Sequence, residues 1–110
     1  MSVRKTHVIQ NKDIKHVMIG TPRGHKHVCV YIKLKKGTAI IFQEATIANI
    51  LRAYTTVKTH PNIRAQELKM KTLTAESRRE GYAAHQLIET SRSADNIEEV
   101  LRDLLEKAST

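Results

Sequence analysis

Two glycine-containing turns divide residues 14–43 into three short segments rich in β-branched and apolar side chains. The first turn, residues 21–24, has proline second and glycine fourth, which is typical of a type I turn with Gly24 in the left-handed conformation of a G1 bulge. The second turn, residues 35–37, is Lys-Lys-Gly. Segments this short pair as antiparallel neighbours. The sequence therefore predicts a β-meander with strands over 14–20, 26–35 and 38–43.

The register of the first hairpin follows from its apolar pattern. A three-residue loop would pair Thr21 with His25 and place Ile14, His16 and Met18 on the face of the even-numbered residues of the second strand. A two-residue loop would instead set Val17 and Ile19 beside Val28 and Lys26, with His16 opposite Cys29. We expect the three-residue loop, because it builds one consistent apolar face and a slip by one residue would destroy it. The predicted core face is Ile14, Met18, Val28, Val30, Ile32, Leu34, Ile40 and Phe42.

Helical periodicity takes over after the meander. A helix is predicted over 44–58 from an apolar stripe at helical spacing, and His60-Pro61 ends it. Residues 64–73 alternate in hydrophobicity, which favours a strand, although several of them are also good helix formers. Thr74 is a suitable N-cap for a helix over 75–90, with Ala84, Leu87 and Ile88 facing inward. The stripe of the first helix is Ile47, Ile50, Leu51, Tyr54 and Val57.

The C-terminal segment has the clearest helical pattern in the chain. Asp95 and Glu98 have the spacing of a capping box, and acidic residues occupy the opposite side of the predicted helix. Its apolar stripe is Ile97, Val100, Leu101, Leu104 and Leu105. The predicted fold is thus α+β: an antiparallel three- to five-stranded meander with two or three helices packed on one face. We expect a single basic domain over 1–110, with residues 1–12 as a loosely ordered arm or, over 4–10, an edge strand.

Charge is unevenly distributed along the chain. Residues 1–72 hold 14 Lys and Arg against Asp13, Glu44 and Glu67, whereas residues 73–110 have a net charge of −3, within a total of +8. Such a basic segment attracts polyanions. The N-terminus has no apolar segment behind it, so we expect no secretory signal, and the single Cys29 fits a reducing, cytoplasmic compartment. The longest apolar run, residues 28–32, is too short to span a membrane.

Nucleic acid is the leading candidate partner. Cations at the predicted hairpin tips, along the sheet rim and near the N-terminus (where Lys12 also lies) suit phosphate contacts. Aromatic residues make up only 4% of the chain, which argues against single-strand binding by base stacking. We therefore expect non-catalytic, weakly sequence-specific binding to DNA or RNA. The candidate contact residues are Arg4, Lys5, Lys15, Arg23, Lys26, Lys33, Lys35 and Lys36.

The reverse face of the predicted meander has an apolar centre inside a basic rim. Such a patch indicates either a binding surface or an oligomer interface, unless another part of the chain covers it. Pairing with a second copy would give a dimer whose basic rim runs across both subunits. The main alternative function is accordingly a protein–protein assembly or adaptor subunit. The candidate interface residues are Val17, Ile19, Tyr31 and Ile41.

Catalysis is the third hypothesis. Glu67-Leu68-Lys69 has the acid-x-lysine spacing of Mg²⁺-dependent nucleases, but Asp13 and Glu44 are the only acids before it. His25, His27 and Cys29 are every second residue of the predicted strand, so their side chains would lie on the same side, with neighbours about 7 Å apart. That spacing on a straight strand is too wide for the three side chains to bind one metal ion. We expect no catalytic residue, cofactor, metal or small-molecule substrate.

Overall fold

In the part of the chain that the structure describes, the fold is α+β, as predicted, with two helices, an antiparallel three-stranded sheet and a separate two-stranded hairpin. The computed structural model describes residues 6–77 and 84–108. The chain divides into two compact units. The first unit consists of Met1–Glu44 and Glu99–Thr110, and the second unit is Ala45–Glu98. In chain order the elements are a short 3₁₀ helix Asn11–Asp13, β1 Ile14–Gly20, β2 Cys29–Leu34, β3 Ala39–Gln43, α1 Glu44–Thr59, β4 Leu68–Thr72, β5 His85–Glu89 and α2 Ala94–Lys107.

The β2–β3 hairpin has the predicted register. Val30 pairs with Phe42 and Ile32 with Ile40, and the Leu34 N–H donates to the Thr38 carbonyl over 2.9 Å. Gly37 turns the chain at a φ of 103°, a conformation that side chains other than glycine rarely adopt. The Gly37 N–H also donates to the Leu34 carbonyl, which completes a type I turn followed by a G1 bulge.

The β1–β2 register differs from the prediction. A turn does form at Pro22–His25, where the His25 N–H donates to the Pro22 carbonyl and Gly24 has a φ of 88°. This turn lies inside a loop over 21–28, and β2 begins only at Cys29. Val17 consequently pairs with Ile32 and Ile19 with Val30. The three-residue loop is therefore wrong, and the register of residues 16–20 is shifted by an odd number of residues, which exchanges their faces. The bulge before His16 keeps Ile14 paired with Leu34, on the predicted face.

This register redistributes the apolar side chains over both faces of the sheet. We call the face with Val30 and Ile32 the first face, and the face with Cys29 and Tyr31 the second face. Val17 and Ile19 join the first face, together with Ile40 and Phe42, while Met18 and Ile41 lie on the second. Met18 is therefore removed from the predicted core face. The four candidate interface residues do not share one surface, because two of them lie on each face.

The β4–β5 hairpin belongs to the second unit. β4 lies within the strand predicted over 64–73, and its partner β5 occupies part of the segment predicted as a helix. That helix prediction is wrong for the described residues: residues 74–77 form a turn in which the Ser77 N–H donates to the Thr74 carbonyl over 3.2 Å, and His85–Glu89 is extended. Gly81 and the rest of 78–83 lie outside the described residues.

The two predicted helices at 44–58 and at the C-terminus are confirmed. The N-cap of α2 is Ser93, whose Oγ accepts a hydrogen bond from the Asn96 N–H over 3.2 Å, so the predicted Asp95–Glu98 capping box is wrong. At the other end of the chain, residues 6–10 contain only an isolated bridge residue, His7, and form no strand. None of the described helices is long and apolar enough to cross a membrane.

Burial is shallow in both units. Among the described residues only Ile97 is buried, with 7% of its surface exposed. The eight predicted core-face residues are at most half-buried, and Met18 and Ile40 among them are exposed. Units of about 55 residues have little interior, so partly exposed apolar side chains are expected on physical grounds. Many of the apolar residues of β1, β3 and α2 nevertheless remain open to contact with another molecule.

Candidate nucleic-acid interface

Five lysines lie at one end of the three-stranded sheet. Lys12 is in the 3₁₀ helix that leads into β1, Lys15 lies in the bulge between Ile14 and His16, and the other three are at the end of β2 and in the turn after it. Ile14 pairs with Leu34, and the Lys35 N–H donates to the Asp13 carbonyl over 2.9 Å, which ties these segments together. We call this group the lysine cluster: Lys12, Lys15, Lys33, Lys35 and Lys36.

The lysine cluster forms no ion pair in the described part of the chain. Of its five side chains, only Lys33 has a hydrogen bond there, donated by Nζ to the Gly37 carbonyl over 2.8 Å. The nearest carboxylate in sequence, Asp13, accepts the Gln10 N–H over 2.9 Å. Four of the lysines are exposed and Lys33 is half-buried. The result is a local excess of positive charge, five lysines against the single carboxylate of Asp13.

The structure divides the predicted contact residues into three groups. Lys15, Lys33, Lys35 and Lys36 come together in the lysine cluster, and Lys12 joins them because the 3₁₀ helix brings it beside the β2–β3 turn. Arg23 and Lys26 lie in the 21–28 loop at the opposite end of the sheet, since consecutive hairpins of a meander point in opposite directions. A six-residue strand separates the two ends by roughly 20 Å. Arg4 and Lys5 lie outside the described residues.

Glu44 binds two residues of the 21–28 loop, His27 and Val28, through its carboxylate. Its Oε1 accepts the Val28 N–H over 2.8 Å, and its Oε2 lies 3.2 Å from Nδ1 of His27. These contacts lower the pKa of the Glu44 carboxyl below its usual 4.5, first through the Val28 hydrogen bond and second through His27. Because Glu44 is also the first residue of α1, its negative charge lies at the positive end of the helix dipole. One carboxylate thus links the start of β2 to the start of α1.

Replacing Glu44 with Gln is expected to lower stability at neutral pH and to flatten its acid dependence. A carboxyl whose pKa is lower in the folded state stabilises the fold above its unfolded pKa, and the contribution is lost as the pH falls through the folded pKa. The parent chain should therefore lose stability below about pH 4.5 more steeply than Glu44→Gln. Urea unfolding at a series of pH values measures this, and parallel curves for the two proteins would contradict the role of Glu44.

Two arginines of the second unit, Arg64 and Arg92, form ion pairs, unlike the members of the lysine cluster. Arg64 forms ion pairs with Glu98 and, over 3.8 Å, with Asp95, and these carboxylates hold the pKa of its guanidinium above the ordinary value. Arg92 Nε lies 3.2 Å from Oε1 of Glu67, which also accepts the Thr90 hydroxyl over 2.8 Å. The carboxylate of the acid-x-lysine motif thus links the segments on either side of the β4–β5 hairpin.

The histidine and cysteine pattern of the sequence is not arranged on one strand. Residues 25 and 27 lie in the 21–28 loop, and Cys29 is the first residue of β2. His27 is engaged with Glu44, and His16 packs against Tyr31 with ring centroids 5.8 Å apart. Within the part of the chain that the structure describes, no three His, Cys, Asp or Glu side chains are grouped as metal ligands.

A shallow open groove of about 380 Å³ lies in the second unit. Its lining combines Asn49 and Arg52 of α1 with Leu87 and Glu89 of β5, among others. Arg52 is the one cation in this lining, and Glu89 offsets its charge. For an anionic ligand, the lysine cluster is therefore the stronger candidate of the two.

No protein-family model matches the chain, and neither do the curated proteins or the solved structures compared with it. The function has to be inferred from the chain's own charge and geometry.

Proposed function

We propose that this protein binds nucleic acid through phosphate contacts, without catalysis, and that the lysine cluster is the principal contact surface. The observation that carries the proposal is the convergence of five lysines that form no ion pair among the described residues. A local excess of positive charge attracts polyanions. A phosphate backbone supplies that neutralisation and releases counterions.

The dimensions of the lysine cluster suit a polyphosphate. Its members lie on three adjacent backbone segments, which together span roughly 10 Å. A nucleic-acid duplex carries one negative charge per about 1.7 Å of its axis with both strands counted, so a length of about 10 Å contains about six charges, part of which face the protein. Each lysine acts as a point charge toward phosphate and reads no base. The proposed binding is therefore only weakly dependent on nucleotide sequence, and Arg23 and Lys26 form a second, smaller contact group.

Aromatic chemistry favours a duplex over a single strand as the ligand. Tyr31, the aromatic residue on the second face, is half-buried and packs against His16. Single-strand binders rely on exposed aromatic rings that stack with successive bases. Phosphate contacts on the outside of a duplex need no such rings.

A second candidate function is that of a protein-assembly subunit. It is favoured by the exposure of apolar side chains on both faces of the three-stranded sheet, 70% for Ile19 on the first face and 64% for Ile41 on the second. Large exposed apolar surfaces on small proteins mark contact sites for other proteins. The two functions are compatible, because the lysine cluster lies at the end of the sheet.

Binding of a labelled random-sequence DNA duplex, followed by fluorescence anisotropy over a series of salt concentrations, tests the nucleic-acid proposal. We expect a dissociation constant on the order of micromolar at low salt and a logarithmic salt slope of up to about −4.5 for five phosphate contacts. A duplex RNA of the same length serves to compare the two nucleic acids. Absence of binding to both duplexes at low salt, or affinity independent of salt, would overturn the proposal.

A further inference from the structure

The three-stranded sheet has two open edges. Its strand order is β1-β2-β3, so β1 and β3 each have a hydrogen-bonded neighbour on one side only among the described residues. An open edge offers a row of unpaired N–H and C=O groups to any other extended chain, and soluble proteins commonly protect such edges with lysine or with bulges.

The two edges differ in this protection. β1 contains Lys15, and its ladder is interrupted by a bulge at that residue. β3 has neither device: its five residues are Ala, Ile, Ile, Phe and Gln, without charge or proline, and its pairing with β2 is regular. Ile41 is 64% exposed and Ile40 36% exposed. β3 is therefore the edge that is left open to pairing.

We propose that two copies of this chain pair through their β3 strands, antiparallel and around a two-fold axis at Ile41, to form one continuous six-stranded sheet. This is the only two-fold register that pairs all five β3 residues with one another, since Ile40 then lies opposite Phe42, and Ala39 opposite Gln43, of the second copy. Leu34 and Thr38 form a hydrogen-bonded pair, so the alternation of the ladder turns the backbone groups of Ala39 and Ile41 away from β2. In the proposed dimer, these N–H and C=O groups point toward β3 of the second copy.

Charge favours a second copy as the occupant of this edge. The register centred on Ile41 sets Glu44 of each copy opposite Thr38 of the other, beside the turn that carries Lys36. The two-fold axis reverses the strand direction, so the two lysine clusters lie at opposite ends of the six-stranded sheet rather than against each other. The lysine cluster of each copy then lies at the same end of the sheet as the 21–28 loop of the other copy, which contains Arg23 and Lys26. Both ends of the dimer are consequently basic.

Sedimentation velocity of the full chain, compared with two single lysine substitutions, tests this dimer. Ile41→Lys would place two like charges opposite each other on the two-fold axis, whereas Met18→Lys adds the same charge on the same face at the β1 edge. We expect a dimer for the parent chain and for Met18→Lys, and a monomer with an unchanged circular dichroism spectrum for Ile41→Lys. A monomeric parent chain, a dimer lost only with Met18→Lys, or a larger species that survives Ile41→Lys would overturn the proposal.

A disulfide experiment decides the remaining case, in which both lysine variants dissociate or fail to fold. With Cys29 replaced by Ser, Ile41→Cys would bring two thiols together across the axis, where hydrogen-bonded partners have Cα atoms about 5.5 Å apart, within reach of a disulfide. Mild oxidation should convert this variant to a covalent dimer as its main species, and the matched Met18→Cys variant should form no covalent dimer. Failure of Ile41→Cys to cross-link, or equal cross-linking of both variants, would overturn the proposed register.

Discussion

Reversing four residues of the lysine cluster to glutamate is expected to weaken duplex binding on the order of 100-fold or more at low salt. Each reversal removes one phosphate contact and adds a repulsive charge, so the magnitude of the logarithmic salt slope should also decrease by about 3.6. Lys33 is left in place because its side chain supports the β2–β3 turn through the Gly37 carbonyl. Anisotropy titrations of the parent and variant chains measure both quantities. The substituted residues are Lys12, Lys15, Lys35 and Lys36.

A matched control separates the local effect from the change in net charge. Four exposed cations of the second unit, without ion pairs among the described residues, can be reversed to give the same change of −8: Arg52, Lys58, Lys69 and Lys71. We expect this control to weaken binding about tenfold at most, since it removes none of the proposed phosphate contacts and changes only the long-range attraction, which salt screens. Neither variant should lose more than about 1 kcal/mol of stability, because all the substituted side chains are exposed. Equal losses of affinity would show that total charge, not the lysine cluster, determines binding.

The largest stability effect is expected for Ile97→Ala. Ile97 is the buried apolar residue of the second unit, held in the first turns of α2, where its N–H donates to the Ser93 carbonyl over 3.0 Å. Truncating a buried isoleucine costs about 2–5 kcal/mol. Small units have free energies of unfolding at the low end of the usual range of about 5–15 kcal/mol. The loss would therefore be a large part of the free energy of unfolding of the second unit. Amide hydrogen exchange of β4 and β5 would report it as faster exchange throughout the hairpin.

Leu101→Ala provides the comparison for Ile97→Ala on the same helix. Leu101 is 51% exposed, and alanine is a better helix former than leucine, so its replacement should cost less than about 1 kcal/mol. Equal destabilisation by the two substitutions would mean that Leu101 is as buried in solution as Ile97. It would contradict the prediction that Ile97 contributes more to stability than the other apolar residues of α2.

The β2–β3 hairpin could be predicted from sequence because its register depends on local chemistry. The loop has three residues, 35–37, and Gly37 supplies the positive φ that a G1 bulge requires. The same arguments correctly anticipated a turn around Gly24 but not its place in the hairpin. That turn lies in a longer loop, and the Glu44 carboxylate, distant in sequence, accepts the Val28 N–H at the point where β2 begins. No local pattern signals a contact of this kind.

β5 shows a second limit of local patterns. Residues 85–89 contain good helix formers and follow a suitable N-cap, yet they pair residue by residue with β4, from Leu68 with Glu89 to Thr72 with His85. Non-local pairing overrides intrinsic propensity when a neighbouring strand is available. The strand predicted for β4 thus implied a partner, and the apolar side chains of β5 were a signal that could have identified it, although they were interpreted as one side of a helix.

For the candidate site, the sequence predicted the charge but not its grouping. The excess of lysine in the first 44 residues was evident, and four of the five members of the lysine cluster were already candidate contact residues. Which of them lie together depends on strand direction: Lys35 and Lys36 share an end with Lys15, while Arg23 and Lys26 do not. Lys12 joins the cluster through the bond between the Lys35 N–H and the Asp13 carbonyl, a contact that only the folded chain shows.

The most direct test of the central claim is a two-dimensional ¹H–¹⁵N NMR titration of the labelled chain with an unlabelled DNA duplex. If the lysine cluster binds phosphate, the largest shifts will fall on the amides of residues 12–16 and 33–38, with smaller shifts in the 21–28 loop. The amides of β4 and β5 should stay unchanged, and added salt should reverse the shifts. Shifts centred on the second unit, or no shifts at concentrations where anisotropy detects binding, would contradict the assignment of the lysine cluster as the nucleic-acid interface.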